Sequence, residues 1–166
     1  MHHFFYSEVL KIENQYIIHF KGLKEGVHDF AFIIEKPFFD AFEQLEVPDG
    51  HVHVQVELNR KASFLELAVD LQGELQAQCD RCLGHFTLPV SYTGQLVVRF
   101  SETEQEKDDE VIFLHPDEYQ LNLTHYLYEC ISLSLPLRKV HPDLSDGQPG
   151  CDPEMLKRLD EMLIKD

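Results

Sequence analysis

The sequence predicts an α+β protein: an antiparallel β-sheet or open barrel with a few covering helices, two of them near the C-terminus. Three observations predict it. Apolar residues alternate with period two through much of the first hundred residues. The period switches to a helical one near residue 121, and Asp152-Pro153 opens a second C-terminal helix. Strands come first and helices after, so the helices segregate to one side of the sheet instead of alternating with strands.

In chain order, YIIHF (16–20) and HDFAFII (28–34) read as strands around a Gly-containing turn. KPFFDAFEQL (36–45) reads as a short helix with Pro37 near its start, its Phe38, Phe39, Phe42 and Leu45 facing the sheet, and VPDG (47–50) as a turn. HVHVQVEL (51–58) alternates strictly, with Val52, Val54, Val56 and Leu58 on one face. LELAVDLQGELQAQC (65–79) does the same through Leu65, Leu67, Val69, Leu71, Leu75, Ala77 and Cys79, and Gly73 marks a bulge or bend. NRKASF joins these two strands as a hairpin loop. LPVSYTGQLVVRF (88–100) is a further strand, SETEQEKDDE (101–110) a flexible acidic loop, and VIFL (111–114) a short edge strand. Leu123, Leu127, Ile131 and Leu135 then recur every four residues, with Asn122 as N-cap and Pro136 as terminator. After a breaker-rich loop (141–150), Asp152 caps a C-terminal helix over about 152–164.

The 166 residues make one domain with a sizeable core, spanning 1–166. No apolar run approaches the roughly 20 residues that span a bilayer. The N-terminus lacks a basic region and an uninterrupted apolar stretch and is charged by Glu8, so no secretory signal is expected and the protein is placed in the cytoplasm. There thiols stay reduced, and four cysteines point to metal, redox chemistry or burial. Thirty acidic residues against 14 basic ones give a net charge of −16, a field that repels phosphate backbones and attracts basic partners. Candidate contacts to RNA or a partner are the local cations Arg60, Lys61, Arg81, Arg138 and Lys139.

The most informative stretch is AQCDRCLGHF (77–86). A C-x-x-C turn aims two thiolates at one ion about 2.3 Å away, and Gly84 would let the backbone turn around it. Such a pair is half of a zinc site. His141 and Cys151, in one polar loop downstream, are the best candidates for the other half; His85 and His115 are weaker ones. Cys130 lies beside Ile131 on the apolar side of a helix and reads as a buried residue. The structural zinc site Cys79–Cys82–His141–Cys151 therefore stands beside a metal-free turn of packing residues. A thiol oxidoreductase is a remote third reading, because LGHFTLPVSYT after Cys82 has no helical periodicity to lower a thiol pKa. His51 and His53 share a strand face and can present two ligands to a metal, but no third partner accompanies them. No nucleotide-binding, hydrolase or metalloprotease motif occurs, so no enzymatic activity is expected.

Cys79-x-Arg81-Cys82-Leu83, Glu129 within the leucine-rich helix, the SLPLRKVH ending at His141, and Cys151 occur in an order and spacing that resembles the YceD family of large ribosomal RNA accumulation proteins. The likeness covers nearly the whole chain. It implies a non-enzymatic cytoplasmic factor for 23S ribosomal RNA accumulation and large-subunit assembly. An acidic member would act by holding a basic ribosomal protein or assembly factor; direct rRNA contact through a local basic patch is the alternative. Many members carry a second cysteine pair near the C-terminus, where this chain has only Cys151, with His141 ten residues earlier. The resemblance thus leaves the metal site as Cys3His or as lost.

Overall fold

The computed structural model describes residues 12–103, 105, 108 and 110–163. Five strands form the main sheet: β2 (Gly26–Ile34), β3 (Asp49–Arg60), β4 (Phe64–Gln78), β5 (His85–Phe100) and β6 (Val111–Leu114), in that spatial order. The first four make an antiparallel meander, and β6 joins the edge of β5 in parallel. β1 (Ile17–His19) pairs with β7 (Gln120–Asn122) in a separate two-stranded ribbon. Three helices lie wholly among the described residues: α1 (Lys36–Ala41), α2 (Thr124–Ser134) and α3 (Pro153–Leu163). The architecture is α+β with an open sheet, not a closed barrel.

Alternation decides which face of the sheet is dry. Val52, Val54, Val56 and Leu58 on β3 and Leu65, Leu67, Val69, Leu71, Leu75 and Ala77 on β4 are buried, and their neighbours in sequence are mostly exposed. Each such side chain contributes about 1.5–3 kcal/mol on full burial. The β1–β7 ribbon, α1 through Phe38 and Phe39, and α2 through Leu127 and Ile131 cover this face in one cluster. Tyr16 packs edge-on against both Phe32 and Phe38, tying the ribbon to β2 and α1. The opposite face, with His53, Gln55, Glu57, Asp70, Gln72 and Thr93, is open to solvent.

Several local expectations change. The register runs unbroken through Gly73, which pairs with Val52 on one side and Val90 on the other, so no bulge forms. The glycine is needed for space: a Cβ there would lie 2.2 Å from the carbonyl oxygen of His51 and 2.6 Å from Val52 Cα. Asp49 and Gly50 belong to β3, not to a turn, because both find partners on β4 at Gln76 and Leu75. The β3–β4 loop shrinks to residues 61–63, closed by the Lys61 amide donating to the Phe64 carbonyl at 3.0 Å. Residues 36–45 split into α1 and a 3-10 turn (Glu43–Leu45). β7 was not expected; its Asn122 ends the strand and its Oδ1 accepts the Thr124 amide at 2.9 Å, which starts α2. Residues 104, 106, 107 and 109 of the acidic 101–110 stretch and residue 164 lie outside the described residues.

Candidate metal centre

β4 ends at Gln78, and the next six residues turn the chain into β5. Two backbone bonds close this knuckle: the Cys79 amide donates to the Gly84 carbonyl at 2.8 Å, and the Leu83 amide donates to the Cys79 carbonyl at 2.9 Å. The residue that takes the left-handed conformation is Leu83, at φ 61°, not Gly84. Leu83 is 60% exposed, so its side chain escapes the turn it strains.

The chain after α2 is clamped to this knuckle. The Asp80 amide donates to the Lys139 carbonyl at 2.7 Å, and the Lys139 amide donates to Asp80 Oδ2 at 2.6 Å. Two residues on, His141 Nδ1 stands 3.4 Å from Cys82 Sγ, and its ring packs against Phe86 with centroids 4.8 Å apart. Gly150 brings the chain back: a Cβ there would lie 2.2 Å from the Pro142 carbonyl oxygen, so only glycine passes. Cys151 Sγ then comes to 3.6 Å from Cys79 Sγ. Asp152 Oδ1 accepts the Glu154 amide at 2.9 Å and starts α3 behind Pro153.

The four ligand atoms of Cys79, Cys82, His141 and Cys151 all lie within 4.8 Å of one another, and the three cysteines are buried. The set fits a tetrahedral zinc. Two sulfurs about 2.3 Å from one ion at the tetrahedral angle lie about 3.8 Å apart, close to the separation of Cys79 and Cys151. Charge points the same way. Burial pushes the Cys79 thiol up, but the amides of Cys82, His141 and Arg81 and the His141 ring outweigh it and hold the thiol below its ordinary value. Burial, with the neighbouring Cys79 and Cys82 sulfurs, pushes Cys151 up to about 11. Adjacent sulfurs cannot all ionise on their own; a divalent cation among them removes that conflict.

His85 lies on the solvated face of β5 and His115 beside Asp117, at 3.4 Å, and neither joins the cluster. Cys130 belongs to the main core, where burial pushes its thiol up to about 11. Cys79 sits in a turn followed by a strand, not at a helix N-terminus, which removes the geometric basis of the thioredoxin-like reading. The Asp80–Lys139 clamp and the Phe86 ring were not anticipated; only tertiary pairing creates them. The basic candidates divide. Arg60 spends its guanidinium on the carbonyls of Phe20, Lys21 and Leu23, and Lys61 faces Glu66 at 3.6 Å. Arg81, Arg138 and Lys139 lie at the cysteine knuckle, at the other end of the 15-residue β4. At about 3.3 Å per residue that separation is roughly 50 Å, so the five cations form two groups and not one face.

No helix among the described residues is long and apolar enough to cross a membrane. The family model described as "Large ribosomal RNA subunit accumulation protein YceD" matches residues 67–162, from β4 into α3 and across the whole cysteine cluster. No curated protein and no solved structure matches the chain.

Proposed function

The chain belongs to the YceD family, whose name carries a role in the accumulation of the large ribosomal RNA subunit, and on that premise we propose that it acts there as a non-enzymatic cytoplasmic protein, a single domain that holds a basic ribosomal protein or assembly factor. One observation supports this reading above the others. On the solvated face of the sheet Asp29 stands directly across from Glu57, with Asp70 and Glu66 on the neighbouring strand, in a chain of net charge −16. Like charges directly opposite each other in a sheet are destabilising, and a basic partner laid on this face would offset that cost. Association driven by such a field is salt-sensitive. The test is capture from lysate at low salt: ribosomal proteins or assembly factors should be recovered, less with rising salt, and less with Glu57→Gln. Recovery of neither at low salt would sink the reading.

A second reading, direct contact with large-subunit rRNA, now rests on Arg81, Arg138 and Lys139 alone. Lys139 is largely buried and faces Glu46 at 4.0 Å, which leaves Arg81 and Arg138 as the charges offered to phosphate. A gel shift with a large-subunit rRNA fragment at low salt separates the two readings.

We further read the cysteine cluster as a closed structural zinc site of type Cys3His, held by Cys79, Cys82, Cys151 and Nδ1 of His141. Zinc bound there would join the knuckle to the start of α3; it leaves no open position for chemistry. Zinc binds thiolates and a neutral imidazole, so protons compete with the metal for every one of these ligands. The stabilisation is therefore present at neutral pH and lost as pH falls. Zinc release followed with a chromogenic indicator should rise on acidification; release independent of pH would contradict the assignment.

A further inference from the structure

A second group of metal-ligating side chains lies outside this cluster. His51 and His53 occupy alternate positions on β3, so both rings stand on the solvated face. The rings lean toward each other: their Nε2 atoms are 3.2 Å apart, and the ring planes meet at 78°. On the far side of the His51 ring, Nδ1 lies 3.3 Å from Glu35 Oε1. Neither histidine contributes to the core or to the cysteine cluster.

We propose that His51 and His53 form an open binding site for a borderline divalent metal ion of the Zn2+, Ni2+ and Cu2+ class, held through both Nε2 atoms. Three features carry the inference. The first is bite. Two imidazole nitrogens about 2.0–2.1 Å from one zinc ion at an angle of 100–110° lie about 3.1–3.4 Å apart, and the observed separation falls inside that range. The second is the tautomer. A carboxylate at Nδ1 keeps the proton on that nitrogen, so the lone pair of Nε2, which without metal faces His53 Nε2 at hydrogen-bond distance, can turn to an ion, the arrangement by which acidic partners orient ligating histidines. Glu35 is placed to do this for His51. The third is the remaining coordination. Glu74 stands directly across from His51 on β4 with its side chain also on the solvated face, although its carboxylate and the two rings do not form a close three-ligand group. Water completes the shell. Affinity should follow the usual order, with Cu2+ tightest. The pair precedes residue 67, so it lies outside the stretch that matches the family, and the inference stands apart from the function proposed above.

The test is calorimetric titration of the full chain with Zn2+, at about 0.3 M salt to screen diffuse attraction to the acidic surface, alongside NMR of the histidine ring nitrogens. The expected result is one binding event that shifts the Nε2 signals of His51 and His53 together. That event should survive in Cys82→Ser, where the cysteine cluster is disabled. It should weaken at least tenfold in His51→Ala and in His53→Ala, both on the solvated face where truncation leaves the core intact. Glu35→Gln should weaken it by about 10-fold, the lower end of outer-shell effects. Two results would overturn the proposal: Zn2+ up to millimolar concentration leaves both ring signals unmoved, or binding persists undiminished in both alanine variants, which marks an adventitious ion only.

Discussion

The sheet core and the cysteine cluster hold the same chain together by different physics. The first joins residues from the ribbon, four long strands, α1 and α2 in one apolar cluster, many of them fully buried. The second has three buried cysteines, with only partly buried Phe86, Val140, Met155 and Leu156 around them. α3 has no buried residue of its own. Area burial suffices for the sheet. At the cluster far less apolar surface is buried, so ordering α3 has less burial to set against its chain entropy. The comparison teaches that the C-terminal segment meets the knuckle through a few specific side chains where the sheet is held by area.

The largest expected effect lies in the sheet. Leu71→Ala removes a fully buried side chain between Val54 and Tyr92 and should cost about 2–5 kcal/mol. Chemical denaturation measures it, and a loss under 1 kcal/mol would show that this core is not the main source of stability. Gly73→Ala should cost about 1–3 kcal/mol, because its new Cβ would meet backbone atoms of β3 that cannot swing away. A neutral Gly73→Ala in the same assay would mean the strands separate there with ease.

At the cluster the effects become local. Asp152→Ala should destabilise the start of α3 by about 1 kcal/mol, read as faster amide exchange in α3 with no change in β4. Equal acceleration in both would erase the distinction between the regions. The smallest effect should come from Leu83→Gly. A left-handed non-glycine residue costs about 1–2 kcal/mol, and glycine returns part of the gain through its freer unfolded state. The net result should be a knuckle tightened by under about 1 kcal/mol, seen as higher resistance to chelator. A looser knuckle would show that the Leu83 side chain supports the turn.

The same division explains what could be read from the sequence. Period two along β3 and β4 is a local signal with a global meaning, since each alternate residue must face the core. The strands and their buried faces were therefore legible residue by residue. The start of α3 was equally legible, because Asp152-Pro153 acts within one turn. Cys79 and Cys82 offered half of a candidate site by spacing alone, and His141 and Cys151 were the best candidates for the rest from their shared polar loop; the structure brings the four side chains together. What brings them together was not legible: the Asp80–Lys139 bonds span 59 residues, and the role of Gly150 appears only once Pro142 is beside it. Gly73 was misread for the same reason, since a glycine needed for interstrand approach looks in sequence like one that breaks a strand. Arg60 looked like a free surface cation because nothing local reveals three carbonyls nearly forty residues earlier.

The most direct test pairs metal content with local exchange. Protein purified without chelator should carry close to one zinc, held by the four ligands that converge on the knuckle. Removing it with chelator or by Cys82→Ser should speed amide exchange across α3 while residues 67–71 of β4 stay protected. Metal content no higher than buffer, together with α3 protection that chelator does not change, would contradict the account.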